Sequence, residues 1–175
     1  WLLRALTVVV VLCFAGSAAV LYERRQEAAA PPASLAEGGA ETGLPSPETL
    51  GQFSPLAAPR PAPAVSFTSR DGKAMTLADF RGRMLLVNLW ATWCGPCVKE
   101  MPSLQSLQAA FGPDLTILAI SQDRGGAAVV DAFIAKHGLD RLSVYLDPKA
   151  EASQIFAVAG LPTIFLIDRD GRILG

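Results

Sequence analysis

The chain has 175 residues, room for one domain with length to spare. Hydrophobic residues make up 51% and the formal net charge is −1, so there is no bulk electrostatic case for nucleic acid or anionic lipid as a partner. Three cysteines are too few for a disulfide scaffold, and a single histidine excludes a His-rich metal site.

Trp1 to Tyr22 is an apolar segment, interrupted only by Arg4 and closed by Glu23-Arg24-Arg25. Ala5 to Leu21 carries no charge, a length at the lower limit for a membrane span. Residues 1–22 are therefore read as a single-pass membrane anchor. The alternative is a cleaved secretory signal, with a basic start and the small residues Ser17-Ala18-Ala19 near a cut. The flanking charges give no orientation, because Arg24 and Arg25 follow the span while Arg4 precedes it. Cys13, preceded by Leu12, fits a lipidation signal poorly and is read as a small apolar residue of the span.

Residues 23–63 change character. From Gln26 to Pro63 the chain holds eight of the thirteen prolines, four glycines and no sustained apolar period, the composition of a linker. A flexible coil of that length spans roughly 35 Å.

A globular pattern begins at Ala64 and runs to residue 175, with balanced charge. Val65 to Ser69 and Lys73 to Thr76 flank the turn Arg70-Asp71-Gly72 and predict a hairpin. Met84 to Trp90 is a nearly continuous apolar run, the mark of a strand covered on both faces. Met101, Leu104, Leu107 and Phe111 then recur at helical spacing, and Pro102 predicts a kink. Leu115 to Ser121 reads as a second buried strand, Ala127 to His137 as a helix and Ser143 to Leu146 as a short strand. Glu151 to Ala157 predicts a short helix, and Thr163 to Ile167 a strand that ends in the hairpin turn Asp168-Arg169-Asp170-Gly171. Strands alternating with helices imply an α/β layer fold with a mainly parallel sheet and an antiparallel edge. The chain opens at Trp1 without an initiator Met and stops at Gly175 inside an apparent strand, so both ends are expected to continue.

The chemistry concentrates in Cys94-Gly95-Pro96-Cys97, between a buried strand and a helix. Two thiols at this spacing on a first helical turn close a small disulfide ring with little backbone movement. The helix N-terminus favours negative charge and makes a thiolate accessible near neutral pH. Cys94, at the exposed end, is expected to attack, and Cys97, one turn inward, to resolve the mixed disulfide. Pro96 has no N–H to lose at a helix start. A zinc half-site is the competing reading of a CxxC, but only Cys13 and His137 remain as further Cys or His ligands, so no metal is expected. His137, at the end of a predicted helix, is expected to interact with the carbonyl terminus there.

Trp93-Cys94-Gly95-Pro96-Cys97 after an apolar strand resembles the thioredoxin superfamily. The run Leu86-Val87-Asn88-Leu89-Trp90-Ala91-Thr92-Trp93, with Lys99-Glu100-Met101-Pro102 beyond the cysteines, is similar to the TlpA/ResA/CcmG group of membrane-anchored thioredoxin-like reductases. The resemblance implies a three-layer fold: a central mixed sheet, helices on both faces, an N-terminal hairpin and an extra helix–strand insertion over Ala127 to Leu146. It also implies that Pro162 is a cis-proline facing the CxxC, in a substrate-contact loop formed by Leu161, Pro162 and Thr163. Leu161 would offer its backbone to the substrate. Trp93 is expected to shape the contact surface and Trp90 to lie in the core.

Plain thioredoxins carry a buried aspartate where this chain has Asn88, and an amide cannot accept the Cys97 proton. Glu100 is a candidate replacement. The preferred expectation is that it only favours the first helical turn electrostatically.

The resemblance implies a protein disulfide reductase without cofactor, in the bacterial inner membrane with its catalytic domain on the periplasmic side, or soluble there after signal cleavage. Implied partners are protein disulfide substrates: apocytochrome c, or a copper chaperone or oxidase subunit. A transmembrane thiol donor of the CcdA or DsbD kind would supply electrons. The alternatives are a disulfide oxidase or isomerase of the same fold and a copper-binding assembly factor. A peroxidase is excluded by Val87 and Ala91, where peroxiredoxins place Pro and Thr.

Overall fold

The computed structural model describes residues 53–175; the apolar segment 1–22 and the linker up to residue 52 lie outside them. Among the described residues no helix is long and apolar enough to cross a membrane. A short strand β1 (Arg60–Pro61) comes first, followed by the hairpin β2 (Ser66–Ser69) and β3 (Ala74–Thr76). Gly72 takes φ +87° in the hairpin turn, a region that L side chains rarely adopt. A 3-10 turn over Leu77–Phe80 follows, held where Asp79 accepts hydrogen bonds from the Thr76 N–H at 2.7 Å and its hydroxyl at 2.9 Å. Then come β4 (Met84–Trp90), α1 (Gly95–Phe111), β5 (Leu115–Ser121), α2 (Gly126–His137), β6 (Val144–Leu146), α3 (Glu151–Ile155), β7 (Thr163–Ile167) and β8 (Arg172–Ile173).

The eight strands form one sheet in the order β1-β8-β7-β4-β5-β6-β2-β3. β4 lies parallel to β5, with Leu86 opposite Ile117, and antiparallel to β7, with Leu85 opposite Ile167 and Leu89 opposite Thr163. β6 extends the parallel part beside β5 and carries the hairpin through an antiparallel pairing with β2.

The near-continuous apolar run of β4 follows from this placement, because its two faces serve two cores. Leu85, Val87 and Leu89 pack with Phe67, Leu118, Ile120, Ala152, Phe156 and Ile167 on one face. Trp90 packs with Met101, Leu104, Ile117, Val130 and Ile134 on the other, under α1 and α2. Each such side chain contributes about 1.5–3 kcal/mol on burial. The result is the expected three-layer α/β arrangement around a mixed sheet, with the N-terminal hairpin and the α2–β6 insertion in place.

α1 runs from Gly95 to Phe111 with Pro102 inside it. Two details differ from the sequence reading. α3 stops at Ile155, and Ala157 sits at φ +53°, a left-handed conformation that a continuing helix excludes. The sheet also reaches upstream of Ala64: Arg60 pairs with Ile173, and the Leu56 N–H donates to the Leu174 carbonyl at 2.8 Å. A proline is tolerated in such a strand because it lies at the sheet edge.

Candidate active site

Parallel pairing of β4 with β5 brings their C-terminal ends together, and the Gln122 N–H donates to the Trp90 carbonyl at 2.9 Å. Beyond these ends lie Ala91–Cys94 on one strand and Gln122–Arg124 on the other. Sheets of this kind place reacting groups at such carboxyl ends.

Cys94 is the N-cap of α1, in extended conformation (φ −85°, ψ 101°), and its Sγ accepts a hydrogen bond from the Cys97 N–H at 3.3 Å. The two cysteines are disulfide-bonded with Cα atoms 5.2 Å apart, within the usual range for such a bond. Cys94 retains 6% exposure while Cys97 has none, so only the first sulfur is reachable from solvent. Pro96 occupies the first turn, where a missing N–H costs nothing. A side chain at Gly95 would meet nothing within 4 Å, so the ring between the cysteines faces open space.

The approach to Cys94 is clamped from β5. Asp123 is 4% exposed and accepts hydrogen bonds from the Thr92 N–H at 2.9 Å, the Thr92 hydroxyl at 2.6 Å and the Ser121 hydroxyl at 2.8 Å. With its neighbour Thr92 held inward, Trp93 turns out and is 71% exposed, whereas Trp90 is fully buried. Shallow depressions flank Trp93 on two sides. Gln122 and Arg124 line both, and one of them reaches Leu161.

Leu161 also packs against the core cluster that contains Cys94 and Cys97. Its peptide bond to Pro162 is cis. Thr163 opens β7 opposite Leu89 of β4, and its hydroxyl donates to the Gly160 carbonyl at 2.7 Å. The Leu161–Thr163 loop and the CxxC thus meet through adjacent strands.

Glu100 departs from the preferred expectation. It lies beyond the first turn of α1 and is 6% exposed, and its Oε1 accepts a hydrogen bond from Asn88 Nδ2 at 2.5 Å. Burial pushes its carboxyl above the ordinary carboxylate range, against the opposing effect of the Asn88 hydrogen bond. Asn88 Oδ1 is buried without a partner. His137 ends α2 as expected, and its ring lies 4.3 Å from that of Phe133, centroid to centroid.

Sequence reasoning passed over Gln122, Asp123 and Arg124. Their signal was position: they directly follow the second buried parallel strand, on the side where β4 delivers its cysteines.

Residues 57–175 match the family model described as Redoxin. The chain is similar to thiol-disulfide oxidoreductase ResA of Bacillus thuringiensis subsp. konkukian, 36% identical over 114 residues that cover 65% of this chain and 65% of that protein. Among solved structures it is similar to the thioredoxin domain of a thiol-disulfide oxidoreductase from Bacteroides vulgatus. The TM-score is 0.61 at 28% identity, over 69% of this chain and 87% of that one. A thiol:disulfide interchange protein from Bacteroides sp. gives a TM-score of 0.61 at 29% identity, over 67% and 79%. With a CxxC capping the first helix and a family match over most of its length, the chain belongs to the Redoxin family, as a thioredoxin-like protein of the TlpA/ResA/CcmG type.

Proposed function

We propose that the chain is a thiol–disulfide oxidoreductase that reduces disulfides of proteins outside the cytoplasm. The observation that carries this reading is the asymmetry of the cysteine pair: Cys94 at the helix N-terminus with residual exposure, Cys97 enclosed behind it. The names of the relatives support the chemistry.

In the reduced protein the Cys94 thiolate, favoured by the Cys97 N–H and the helix terminus, attacks one sulfur of a substrate disulfide. A bond forms between Cys94 and that sulfur, the substrate disulfide breaks, and the departing substrate sulfur takes a proton. Cys97 then gives up its proton and attacks Cys94 Sγ. The Cys94–Cys97 disulfide forms and the substrate's second thiol leaves. Two electrons and two protons pass to the substrate. Glu100, behind the helix start, is the buried group suited to move the Cys97 proton. Trp93 and the Leu161–Thr163 loop form the surface on which the substrate chain lies.

The oxidised pair must be reduced again, and a transmembrane dithiol carrier of the CcdA or DsbD kind fits an anchored periplasmic domain. Within this proposal the substrates are cysteines of apocytochrome c, or of a copper chaperone or oxidase subunit, and residues 1–22 hold the protein at the membrane.

Cys94→Ser is expected to abolish turnover of a protein disulfide, and Cys97→Ser to accumulate mixed disulfides that a reductant releases. Turnover retained by Cys94→Ser would refute the assignment. The reduction potential, from glutathione or dithiothreitol equilibration, is expected at or below about −220 mV; a value near about −120 mV would reverse the direction of electron flow.

A further inference from the structure

Between Trp93 and Leu161 the surface sinks into an open depression of about 440 Å³ whose lining includes the polar side chains of Gln122, Arg124 and Ser153. Gln122 is 8% exposed on its floor; its Oε1 accepts from the Ser153 hydroxyl at 2.8 Å, and its Nε2 has no partner. Arg124 is exposed at the rim and makes no ion pair among the described residues. No acidic side chain lines this depression. Asp123 borders the depression on the other side of Trp93, and its oxygens are already engaged by Thr92 and Ser121.

A buried amide donor without an acceptor is costly to leave unmet, by about 1–3 kcal/mol. An unpaired guanidinium beside it offers a planar fork that matches a carboxylate. The exposed indole of Trp93 adds an apolar wall that a polypeptide can cover. Charge, donors and shape therefore converge on one occupant: an acidic side chain carried by a chain lying across Trp93.

We propose that Gln122 and Arg124 form a carboxylate-reading subsite beside Trp93, so that this chain favours protein disulfides with Asp or Glu close in sequence to the attacked cysteine. The inference rests on the oxidoreductase reading above and names the substrate feature that reading leaves open.

The test uses the full chain in its reduced form and synthetic peptides closed by one disulfide. A Glu is placed in turn at each of the three positions on either side of a cysteine, with Gln and Lys counterparts at the same position. At one or more positions kcat/KM is expected to be about fivefold higher for Glu than for Gln, and lowest for Lys. Salt at about 0.5 M should shrink the ratio. Arg124→Gln should bring the Glu-to-Gln ratio to about one, and Arg124→Glu should make the Lys peptide the better substrate. Equal kcat/KM for Glu, Gln and Lys at every position would overturn the subsite while disulfide reduction stands. A ratio that survives Arg124→Gln would overturn it as well. If none of the peptides is reduced, the oxidoreductase reading falls, and the subsite with it.

Discussion

Asn88 and Glu100 form a buried pair behind Cys97, and the pair's chemistry follows from which of them can hold a proton. The folded-state carboxyl of Glu100 titrates above its unfolded value because burial penalises the charge. Between those two values the native state binds more protons than the unfolded state, so stability falls as pH rises through that window. Stability from this group is fully present below the ordinary carboxylate range and is lost above the raised value. Glu100→Gln keeps an acceptor for Asn88 Nδ2 and removes the ionisation. It is expected to unfold at higher urea than the unsubstituted protein at pH 8, with the gap closing toward pH 4. Parallel stability profiles across that range would contradict a buried ionisable Glu100. If the carboxylate also takes the Cys97 proton, the same variant should slow release of substrate from the Cys94 mixed disulfide by at least about tenfold. Stopped-flow release that is unchanged would leave the proton to water. The sequence offered Glu100 as a candidate for the missing aspartate from its place on the helix, with a first-turn electrostatic role preferred. That it is buried depends on how α1 packs over β4, a tertiary fact that spacing does not contain.

Among the elements, the buried parallel strands were the most legible, because a strand covered on both faces leaves a long apolar run and β4 and β5 have the expected bounds. The CxxC was equally legible, since its spacing carries the chemistry. The clamp across the ends of these strands was not, because Asp123 and Thr92 lie far apart in sequence and an aspartate after a strand reads as ordinary turn chemistry. Its role is to fix the segment that leads into Cys94. Asp123→Ala leaves the Thr92 N–H and hydroxyl and the Ser121 hydroxyl without their acceptor, at a cost of about 2–4 kcal/mol. Urea unfolding should show that loss, together with a change in Trp93 emission. Asp123→Asn keeps one acceptor oxygen and should lose less. Unchanged stability in both variants would show that the clamp contributes nothing.

On the scale of the described molecule, chemistry and sheet closure sit at opposite ends of β4. Leu85, near the start of β4, lies across from Ile167, and Ile167 pairs in turn with Ile173 of β8. The cysteines follow the other end, about 17 Å farther along the strand. β8 is covered on its outer side by residues that compositional reasoning assigned to the linker. These are the Arg60–Pro61 strand, the Ala62 N–H, which donates to the Gly171 carbonyl at 2.9 Å, and the Leu56 N–H, which donates to the Leu174 carbonyl at 2.8 Å. A proline-rich strip with no apolar period gives no strand signal, and only pairing with a distant segment orders it. Two truncations separate the linker from the domain. A chain starting at Phe53 is expected to keep the urea midpoint of the full chain. A chain starting at Ala64 loses those backbone bonds and bares the β8 edge. It should lose about 1–3 kcal/mol, because each bond is worth about 1 kcal/mol and ordering the strip offsets part of the gain. Its Cys94–Cys97 reduction potential should stay that of the full chain, since the described residues it lacks pair with β8, away from the cysteine end. If the two truncations prove equally stable, the edge pairing of Arg60–Pro61 contributes nothing and the domain begins at Ala64. If the shorter chain shifts its potential, the two ends of β4 are coupled through the sheet.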